Sequence, residues 1–559
     1  MSKLDFRIKC SQTQKLLEEI AAFGNRIAYS DAECRAVSFI VNKMQEMGLE
    51  VKKDKMGGIY GIRRGTDSSQ SAVVFGSHID SVPNGGHYDG LVGVIGGLGI
   101  IEDMNRDGVQ TERDIVVACL RIEESALVGR SCVNSSYICG EISDEELAGM
   151  RVIVPNLGVE TLGEAIARAN EHLVDIPLLE EGDFKWGEFY ELHIEQGHEL
   201  RKAGKEIGVV SEIFAPERFK IEVPFPGNLA EFHCVMSDDY VEKVDVRVKV
   251  SVPQDSAHYS THDGTTAQIG KADSFYNTRG KLIEHSGKID ALWRFCELMH
   301  MAEKFGIDAS VSELKIKNAS MNRIPMEVEG MVAVPKEAFE DFAELPWGEK
   351  TYTVEMTSPY KGKKMPTFKD DAFRRFSRAY RGFVQEANRH NDKLRTNVGK
   401  VDIRAIDGVP VEVEAYFSVR AGDLNLRDDF LVGFFMATDF ETIEGADEIE
   451  IELLERGKPV VLRNDMVQRV KATAERDFEV MLTPAGAGHD AAKLDAICEG
   501  GAAVILIQNS GESHDPSEHC RVEDIVKGIH VLKGIALERG ERVKAGQEIL
   551  DKKITPVLP

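Results

Sequence analysis

The sequence lacks the features that mark several large classes of protein. Its nine cysteines include no C-x-x-C pair, which argues against a disulfide framework and against a zinc ribbon. The longest apolar run, 91–101, is too short and too rich in glycine to span a bilayer. No G-x-S-x-G segment occurs, so the nucleophile elbow of the serine hydrolases is absent.

Basic residues are also in deficit. The chain has 68 Lys and Arg against 94 Asp and Glu, a formal net charge of −26. A charge of this sign argues against nucleic acid and against an anionic membrane surface as partners. The scattered cysteines are typical of a reducing compartment, and four of the first nine residues are charged, with no apolar h-region among them. We therefore expect a cytoplasmic location.

With 559 residues, the chain is too long for one ordinary core. Short apolar runs alternate with helical periodicity near both ends of the chain, whereas residues 208–262 alternate apolar and polar side chains as half-buried antiparallel strands do. We predict an α/β fold of two domains, in which an enlarged α+β insert interrupts a discontinuous α/β domain. The predicted pieces are the α/β segments 1–210 and 410–540, the insert 211–409 with an extra insertion at about 300–395, and a polar tail at 541–559.

Polar side chains capable of metal binding follow several of the predicted buried strands. They are His78 with Asp80, Asp89, the pair Glu123–Glu124, His193 and His514. Ligands usually bind at the carboxyl ends of the strands in an open α/β sheet. Imidazole and carboxylate are ligands of zinc and its neighbours. Three histidines and two or three carboxylates suit two ions with a bridging carboxylate, and leave one glutamate as a general base.

From spacing alone, it stays open that the same residues have only ordinary structural roles. Glu123–Glu124 would then be a solvated loop pair, and His193 a hydrogen-bonded core histidine on its strand. An H-x-D segment such as His78–Asp80 is common, although its aspartate is close enough to orient the imidazole.

Five ordered motifs resemble a known family. They are Gly76-Ser-His-Ile-Asp80 continuing to Asp89-Gly90, Glu123-Glu124, Glu191-Leu-His-Ile-Glu-Gln196-Gly197, Ala487-Gly-His489-Asp490-Ala491, and Ser513-His514-Asp-Pro-Ser-Glu518. This order is similar to that of the dinuclear metal-dependent hydantoinase/carbamoylase amidases, which include N-carbamoyl-L-amino-acid hydrolase, β-ureidopropionase and allantoate amidohydrolase. That family lies within the aminoacylase/carboxypeptidase-like metallopeptidase superfamily.

The resemblance implies a role for each matching residue. His78, Asp89 and His193 would hold one divalent ion, and Asp89, Glu124 and His514 the other. Asp80 would orient His78, and Glu123 would be the general base. The remaining matches are Gln196 and His489 near the substrate, His262 as an oxyanion donor in the insert, and Arg420 as a clamp for a substrate carboxylate.

The family also implies an activity, a cofactor and a quaternary structure. We expect hydrolysis of a linear amide or ureido C–N bond of a small molecule through a metal-bound hydroxide. We expect two metal ions per subunit, zinc first and manganese as the alternative. The insert would act as a lid and as the contact of a homodimer. Two alternatives are a peptidase or N-deacylase of the same superfamily and a catalytically silent binding protein.

The chain departs from the family pattern in the insert. The insert is longer than the family usually needs, and Asp407 stands where the family usually has an asparagine that donates to the substrate carboxylate. An ionised Asp407 would repel such a carboxylate. A buried carboxylate must be paired or protonated, so we expect Asp407 to pair with Arg420. The preferred substrate would then be larger or less anionic than an N-carbamoyl amino acid.

Overall fold

The computed structural model describes most of the chain. The described residues are 3–154, 157–197, 199–225, 240–251, 273–276, 282–285, 291–316, 327–345, 353–356, 363–366, 371–390, 394–406, 409–437, 449–511, 514–540 and 542–543. The chain divides into two compact units, one formed by residues 1–213 and 460–559 and the other by residues 214–459. Among the described residues, no helix is both long enough and apolar enough to cross a membrane.

The structure corrects one predicted domain boundary. The second unit begins at residue 214, close to the predicted 211, but the chain returns to the first unit at residue 460 and not at 410. The reason is the strand Val409–Ala421, which pairs along its length with Leu394–Ile406 and with Ala215–Pro224 inside the second unit. Except for residues 542–543, the predicted tail 541–559 lies outside the described residues.

Helices occur in both units. In chain order they are α1 (Lys3–Ala21), α2 (Asp31–Glu46), α3 (Leu91–Arg106), α4 (Val133–Ile138), α5 (Asp144–Gly149), α6 (Leu162–Asn170), α7 (Glu199–Ala203), α8 (Ala291–Lys304), α9 (Phe339–Ala343), α10 (Ala372–His390), α11 (Leu424–Ala437), α12 (Asn464–Ala474), α13 (Ala491–Leu494) and α14 (Val522–Arg539). Short 3₁₀ turns cover Glu171–Leu173 and Lys336–Ala338.

The strands fall into several sheets. In chain order they are β1 (Glu50–Lys53), β2 (Ile59–Arg63), β3 (Ala72–His78), β4 (Gln110–Thr111), β5 (Ile115–Leu120), β6 (Trp186–Ile194), β7 (Ile207–Ile213), β8 (Ala215–Pro224), β9 (Tyr240–Ser251), β10 (Asp273–Tyr276), β11 (Leu282–His285), β12 (Ser310–Ile316), β13 (Glu327–Pro335), β14 (Thr353–Met356), β15 (Lys363–Pro366), β16 (Leu394–Ile406), β17 (Val409–Ala421), β18 (Glu450–Arg456), β19 (Val460–Val461), β20 (Val480–Ala485), β21 (Ala502–Ile507) and β22 (Arg542–Val543).

A nine-stranded mixed sheet forms the centre of the first unit. Its order is β1-β2-β5-β3-β6-β21-β7-β19, and β20 pairs with β7. The four central strands β5, β3, β6 and β21 run parallel. They are almost wholly buried, as strands covered on both faces are. Parallel strands end at one edge of a sheet, so the segments that follow these four strands start from the same edge.

Helix α3 packs closely against this sheet, because the face that it turns to the sheet carries glycine residues. A Cβ on Gly93 would lie 2.5 Å from Cβ of Ser77 and 2.6 Å from the carbonyl oxygen of Leu192. A Cβ on Gly97 would lie 2.7 Å from a methyl group of Val117. The Gly-rich run that follows the first motif therefore sets the distance between α3 and strands β3, β5 and β6.

The second unit is built from antiparallel sheet and helices. One sheet has the order β12-β13-β9-β14 with β15 beside β9, and the other has the order β16-β17-β8-β18. Helices α8, α10 and α11 share a core with strands of both sheets, and Phe417 stacks on Phe219 at 5.2 Å between ring centroids. Residues 300–395, predicted as an extra insertion, contribute Val332, Phe376 and Phe383 to this same core.

The close packing of α3 gives a stability prediction. Gly93→Ala should lower the midpoint of thermal unfolding, because overpacking costs about 1–3 kcal/mol when neighbouring backbone cannot move. Gly149→Ala, at the end of α5, is the matched control, since a Cβ there meets no atom within 4 Å. Equal midpoints for the two variants, measured by calorimetry, would contradict this account of α3.

Candidate metal centre

The four central parallel strands bring the predicted metal ligands to one edge of the sheet. His78 is the last residue of β3, and His193 is the last but one of β6. Glu123 and Glu124 follow β5, and His514 follows β21. The fifth ligand, Asp89, lies on the loop between β3 and α3.

Asp89 stands between two groups of ligands. Its Oδ1 lies 2.8 Å from Nε2 of His193 and 3.7 Å from Nε2 of His78. Its Oδ2 lies 3.1 Å from Nε2 of His514, and that nitrogen lies 3.0 Å from Oε1 of Glu124. The triads His78–Asp89–His193 and Asp89–Glu124–His514 are buried, and in each the three ligand atoms lie within 4.8 Å of one another. One carboxylate oxygen of Asp89 thus faces each triad, as a bridging ligand does.

Both histidines of the first triad are oriented by backbone carbonyl groups. Nδ1 of His78 lies 3.0 Å from the carbonyl oxygen of Asp80, and Nδ1 of His193 lies 2.9 Å from that of Ile194. With the proton on Nδ1, the lone pair of Nε2 points into the triad, which is the usual support of a metal-binding histidine. The donor set and its orientation therefore fit two divalent ions.

The Asp80 side chain makes its shortest contacts elsewhere than predicted. Its Oδ1 accepts a hydrogen bond from the backbone N–H of Glu123 at 3.2 Å, and its Oδ2 accepts one from that of Glu124 at 3.1 Å. The Asp80 carboxylate lies 3.6 Å from Nδ1 of His78, which is farther than the backbone carbonyl oxygen of Asp80 at 3.0 Å. Asp80 thus orients His78 mainly through its main chain, while its side chain holds the Glu123–Glu124 turn.

Positive charge is strongly favoured within the triads. Burial lowers the pKa of His193, but the nearby Asp89 raises it by more, so that the pKa of His193 is about 9. Burial likewise lowers the pKa of His514, and Glu124 and Asp89 raise it well above its ordinary value. Burial raises the pKa of Asp89, yet the surrounding histidines bring it well below its usual range. Divalent cations would meet the same demand for positive charge, with release of these protons.

Glu123 and Glu124 occupy different environments although they are adjacent. Burial raises the pKa of Glu123 well above its usual value, and Glu124 and Asp490 raise it further. Burial also raises the pKa of Glu124, but His514 lowers it, and the net direction is downward. Glu123 belongs to neither triad, and its Oε2 lies 3.8 Å from Nε2 of His78. Opposite shifts in neighbouring carboxyls are typical of a division between proton carrier and charged ligand.

Gln196 and His489 both contact the ligands. Nε2 of Gln196 donates to Oδ2 of Asp89 at 2.8 Å. The His489 ring packs edge-on against that of His193, with 4.6 Å between centroids. Glu191 could form a third triad with these two histidines. Its carboxylate already accepts hydrogen bonds from Ser77 Oγ and from the backbone N–H of Ala491, so we interpret it as support for the first triad.

The other three predicted site residues fall within residues 214–459, the range of the second unit. His262 and Asp407 lie outside the described residues, and Arg420 is a buried residue of β17 in the second unit.

The expected pairing of Asp407 with Arg420 stays a prediction, because Asp407 lies outside the described residues. Within the described residues, Arg420 pairs with Arg395 in the β16–β17 hairpin. The substrate preference inferred from an Asp407–Arg420 pair stays a prediction with it.

Three further residues support the site. Gly90, which belongs to the first motif, has φ +64°, and a Cβ there would lie 2.4 Å from the His78 ring, so the start of α3 can contact that ligand only with glycine. The buried Arg26 donates through Nε to the carbonyl oxygen of Ile79 at 2.8 Å. The thiol of Cys132 donates to Oε1 of Glu123 at 3.2 Å. Arg26 and Cys132 belong to none of the five motifs, so the sequence carries no signal for them.

Four parallel strands whose carboxyl ends carry two buried triads joined by one carboxylate have the arrangement of a dinuclear metal centre. The sequence profile of Peptidase family M20/M25/M40 matches residues 74–538, and the chain belongs to this family. The resemblance carried by the five motifs and the predicted two-domain α/β architecture are confirmed.

The chain is similar to two curated relatives and to one solved structure. Ureidoglycolate hydrolase from Oryza sativa subsp. japonica is 35% identical over 234 residues, which cover 40% of this chain but only 47% of that protein. N-carbamoyl-L-amino-acid amidohydrolase from Paenarthrobacter aurescens is 28% identical over 542 residues, covering 95% of this chain and 99% of that protein. A hydantoinase/carbamoylase family amidase from Burkholderia vietnamiensis shares the fold, with a TM-score of 0.61 at 20% identity over 95% of this chain and 97% of that chain.

The shared position of Asp89 gives a stoichiometry prediction. Protein purified without chelator should contain close to two equivalents of divalent metal by elemental analysis, and His514→Ala should leave close to one. His530→Ala is the control: His530 contacts Asp477 and belongs to neither triad, so this variant should keep both ions. Saturation of the wild type at one equivalent, or two equivalents in His514→Ala, would contradict the dinuclear site.

Proposed function

We propose that this chain is a metal-dependent amidohydrolase that cleaves a linear amide or ureido C–N bond of a small molecule. The observation that carries the proposal is the position of Asp89 between two buried triads, with the non-ligand carboxyl of Glu123 beside them. The names of the relatives support the bond type, since they act on ureidoglycolate and on N-carbamoyl-L-amino acids. The partner of the protein is then a small-molecule substrate.

The proposed roles follow the geometry. His78, Asp89 and His193 hold one ion, and Asp89, Glu124 and His514 hold the other. When bound, the ions supply Lewis-acid activation of a water molecule and of the substrate carbonyl oxygen. Glu123 takes the proton of the attacking water as the C–O bond forms, and returns it to the nitrogen as the C–N bond breaks. The buried surroundings of Glu123, which raise its pKa, suit a carboxyl that must both accept and donate.

The metal identity, the assembly and the location form part of the same proposal. Mixed imidazole and carboxylate ligands suit zinc first and manganese as the alternative. The free thiols of all the cysteines in the described part of the chain support a reducing, cytoplasmic setting. A homodimer formed through the insert rests on the resemblance alone, as do the roles expected for His262 and Arg420.

A substrate screen tests the proposed reaction. Metal-loaded protein is offered ureido acids, N-acyl amino acids, dipeptides and uncharged amides, and release of ammonia, amine or amino acid is measured. We expect turnover of ureido or simple amide substrates. Turnover of dipeptides or N-acyl amino acids alone would favour the peptidase or N-deacylase alternative, which the family name also covers. No turnover by a protein that holds two ions would favour a binding protein.

The division of roles between the adjacent glutamates gives a sharper prediction. Glu123→Gln keeps the side-chain volume and removes the base, so kcat should fall by about 10²–10⁴ while metal content stays at the wild-type level. Glu124→Gln is the matched comparison and should lose metal. If Glu123→Gln loses metal while Glu124→Gln keeps it, the two assignments are reversed.

A further inference from the structure

The loop that follows β21 carries a second buried acid close to its metal ligand. Glu518 lies four residues after His514, and its side chain is only 4% exposed. It belongs to the fifth sequence motif, yet it lies in neither ligand triad, and the proposed mechanism gives it no role. Its surroundings indicate what it does.

The Glu518 carboxylate joins two loops that are far apart in the chain. Its Oε1 accepts hydrogen bonds from the backbone N–H groups of Tyr88 at 3.4 Å and of Asp89 at 3.3 Å. Its Oε2 accepts one from the backbone N–H of His514 at 3.3 Å. Buried backbone donors need acceptors, and here one side chain serves donors on both loops. Both metal ligands thus attach to the same carboxylate through their own main chain.

The backbone around Glu518 is shaped for this contact. A Cβ on Gly86 would lie 2.2 Å from Oε1 of Glu518, so the loop before Asp89 can approach the carboxylate only with glycine at that position. His514 has φ +61°, a left-handed conformation that costs a non-glycine residue free energy and must be held by its surroundings. The hydrogen bond from its N–H to Glu518 provides such a constraint.

The residues next to these ligands also connect the two loops. The hydroxyl group of Tyr88 lies 3.2 Å from Nδ1 of His519, and the two rings meet edge to face at 5.6 Å between centroids. This outer contact is exposed, whereas the Glu518 contact is buried. The buried carboxylate therefore sets the position of Asp89 relative to His514.

We propose that Glu518 is a positioning residue that preassembles the second metal site by fixing the bridging ligand Asp89 against His514. The inference rests on the proposed dinuclear function and extends it to a residue that belongs to neither triad. Residues that orient metal ligands typically contribute about 10–100-fold to metal affinity. The larger effect should fall on the Asp89–Glu124–His514 triad, because two of its members, Asp89 and His514, donate backbone hydrogen bonds to Glu518. Among the hydrogen bonds of the described residues, only Asp89 of the His78–Asp89–His193 triad does so.

Zinc titration of the full chain tests the proposal. Metal-free protein is titrated with Zn²⁺ against a chromophoric chelator, so that the two dissociation constants are measured without any substrate. Glu518→Gln keeps the shape, but only one of its two terminal atoms accepts a hydrogen bond, so a backbone N–H on one loop faces an NH₂ group. We expect one of the two sites to lose about 10–100-fold in affinity, while the other, which shares Asp89, loses less.

Two further variants make the outcome specific. Glu523→Gln removes an exposed carboxylate from the first turn of α14 and should leave both constants unchanged. Gly86→Ala leaves Glu518 intact but pushes its carboxylate away, and it should reproduce the selective loss, which keeps the test valid if Glu518→Gln fails to fold. Wild-type affinities in Glu518→Gln or in Gly86→Ala, or equal weakening of both sites, would overturn the role of Glu518. A wild type that binds fewer than two ions would instead overturn the dinuclear function itself.

Discussion

The first unit depends on an electrostatic constraint, namely that several carboxyl groups are buried side by side. Asp80, Asp89, Glu123, Glu124 and Glu518 are all nearly inaccessible to solvent. Two unit charges 4 Å apart repel by about 4 kcal/mol at the effective dielectric constant of a protein surface, and by more in the interior. Histidines, backbone N–H groups and, in the proposed function, two divalent cations offset this repulsion. The fold must therefore supply donors to every one of these acids.

The parallel sheet meets that requirement through its topology. Four parallel strands end at one edge, so segments from residues 78, 123, 193 and 514 meet there although they are distant in the chain. The backbone supplies much of the support. Carbonyl oxygens orient His78 and His193, and amide groups hold Asp80 and Glu518. Close packing of α3, which needs glycine at Gly90 and Gly93, brings the loop of Asp89 into the same place.

Sequence reasoning succeeded where local pattern and ligand chemistry pointed the same way. The buried strands before His78, Glu123, His193 and His514 occur where the apolar runs predict them. The five residues predicted as ligands lie together in two groups that could each hold a metal ion. The predicted domain boundary at residue 410 was wrong, because a long-range strand pairing sets the boundary. The return to the first unit lies at residue 460, because β17 pairs with β16 and β8.

The family can be identified from the residues alone, because imidazole and carboxylate side chains follow the buried strands in a fixed order. The sequence also separated a predominantly antiparallel insert from a parallel sheet, because strands buried on one face and strands buried on both faces have different apolar periodicities. Three contacts became known from the folded structure alone: which oxygen of Asp89 faces which triad, the hold of the Asp80 side chain on the Glu123–Glu124 turn, and the link that Glu518 makes between two loops. A sequence pattern does not indicate such contacts, because they link residues up to 430 positions apart. In addition, a backbone N–H group can donate from any residue type except proline.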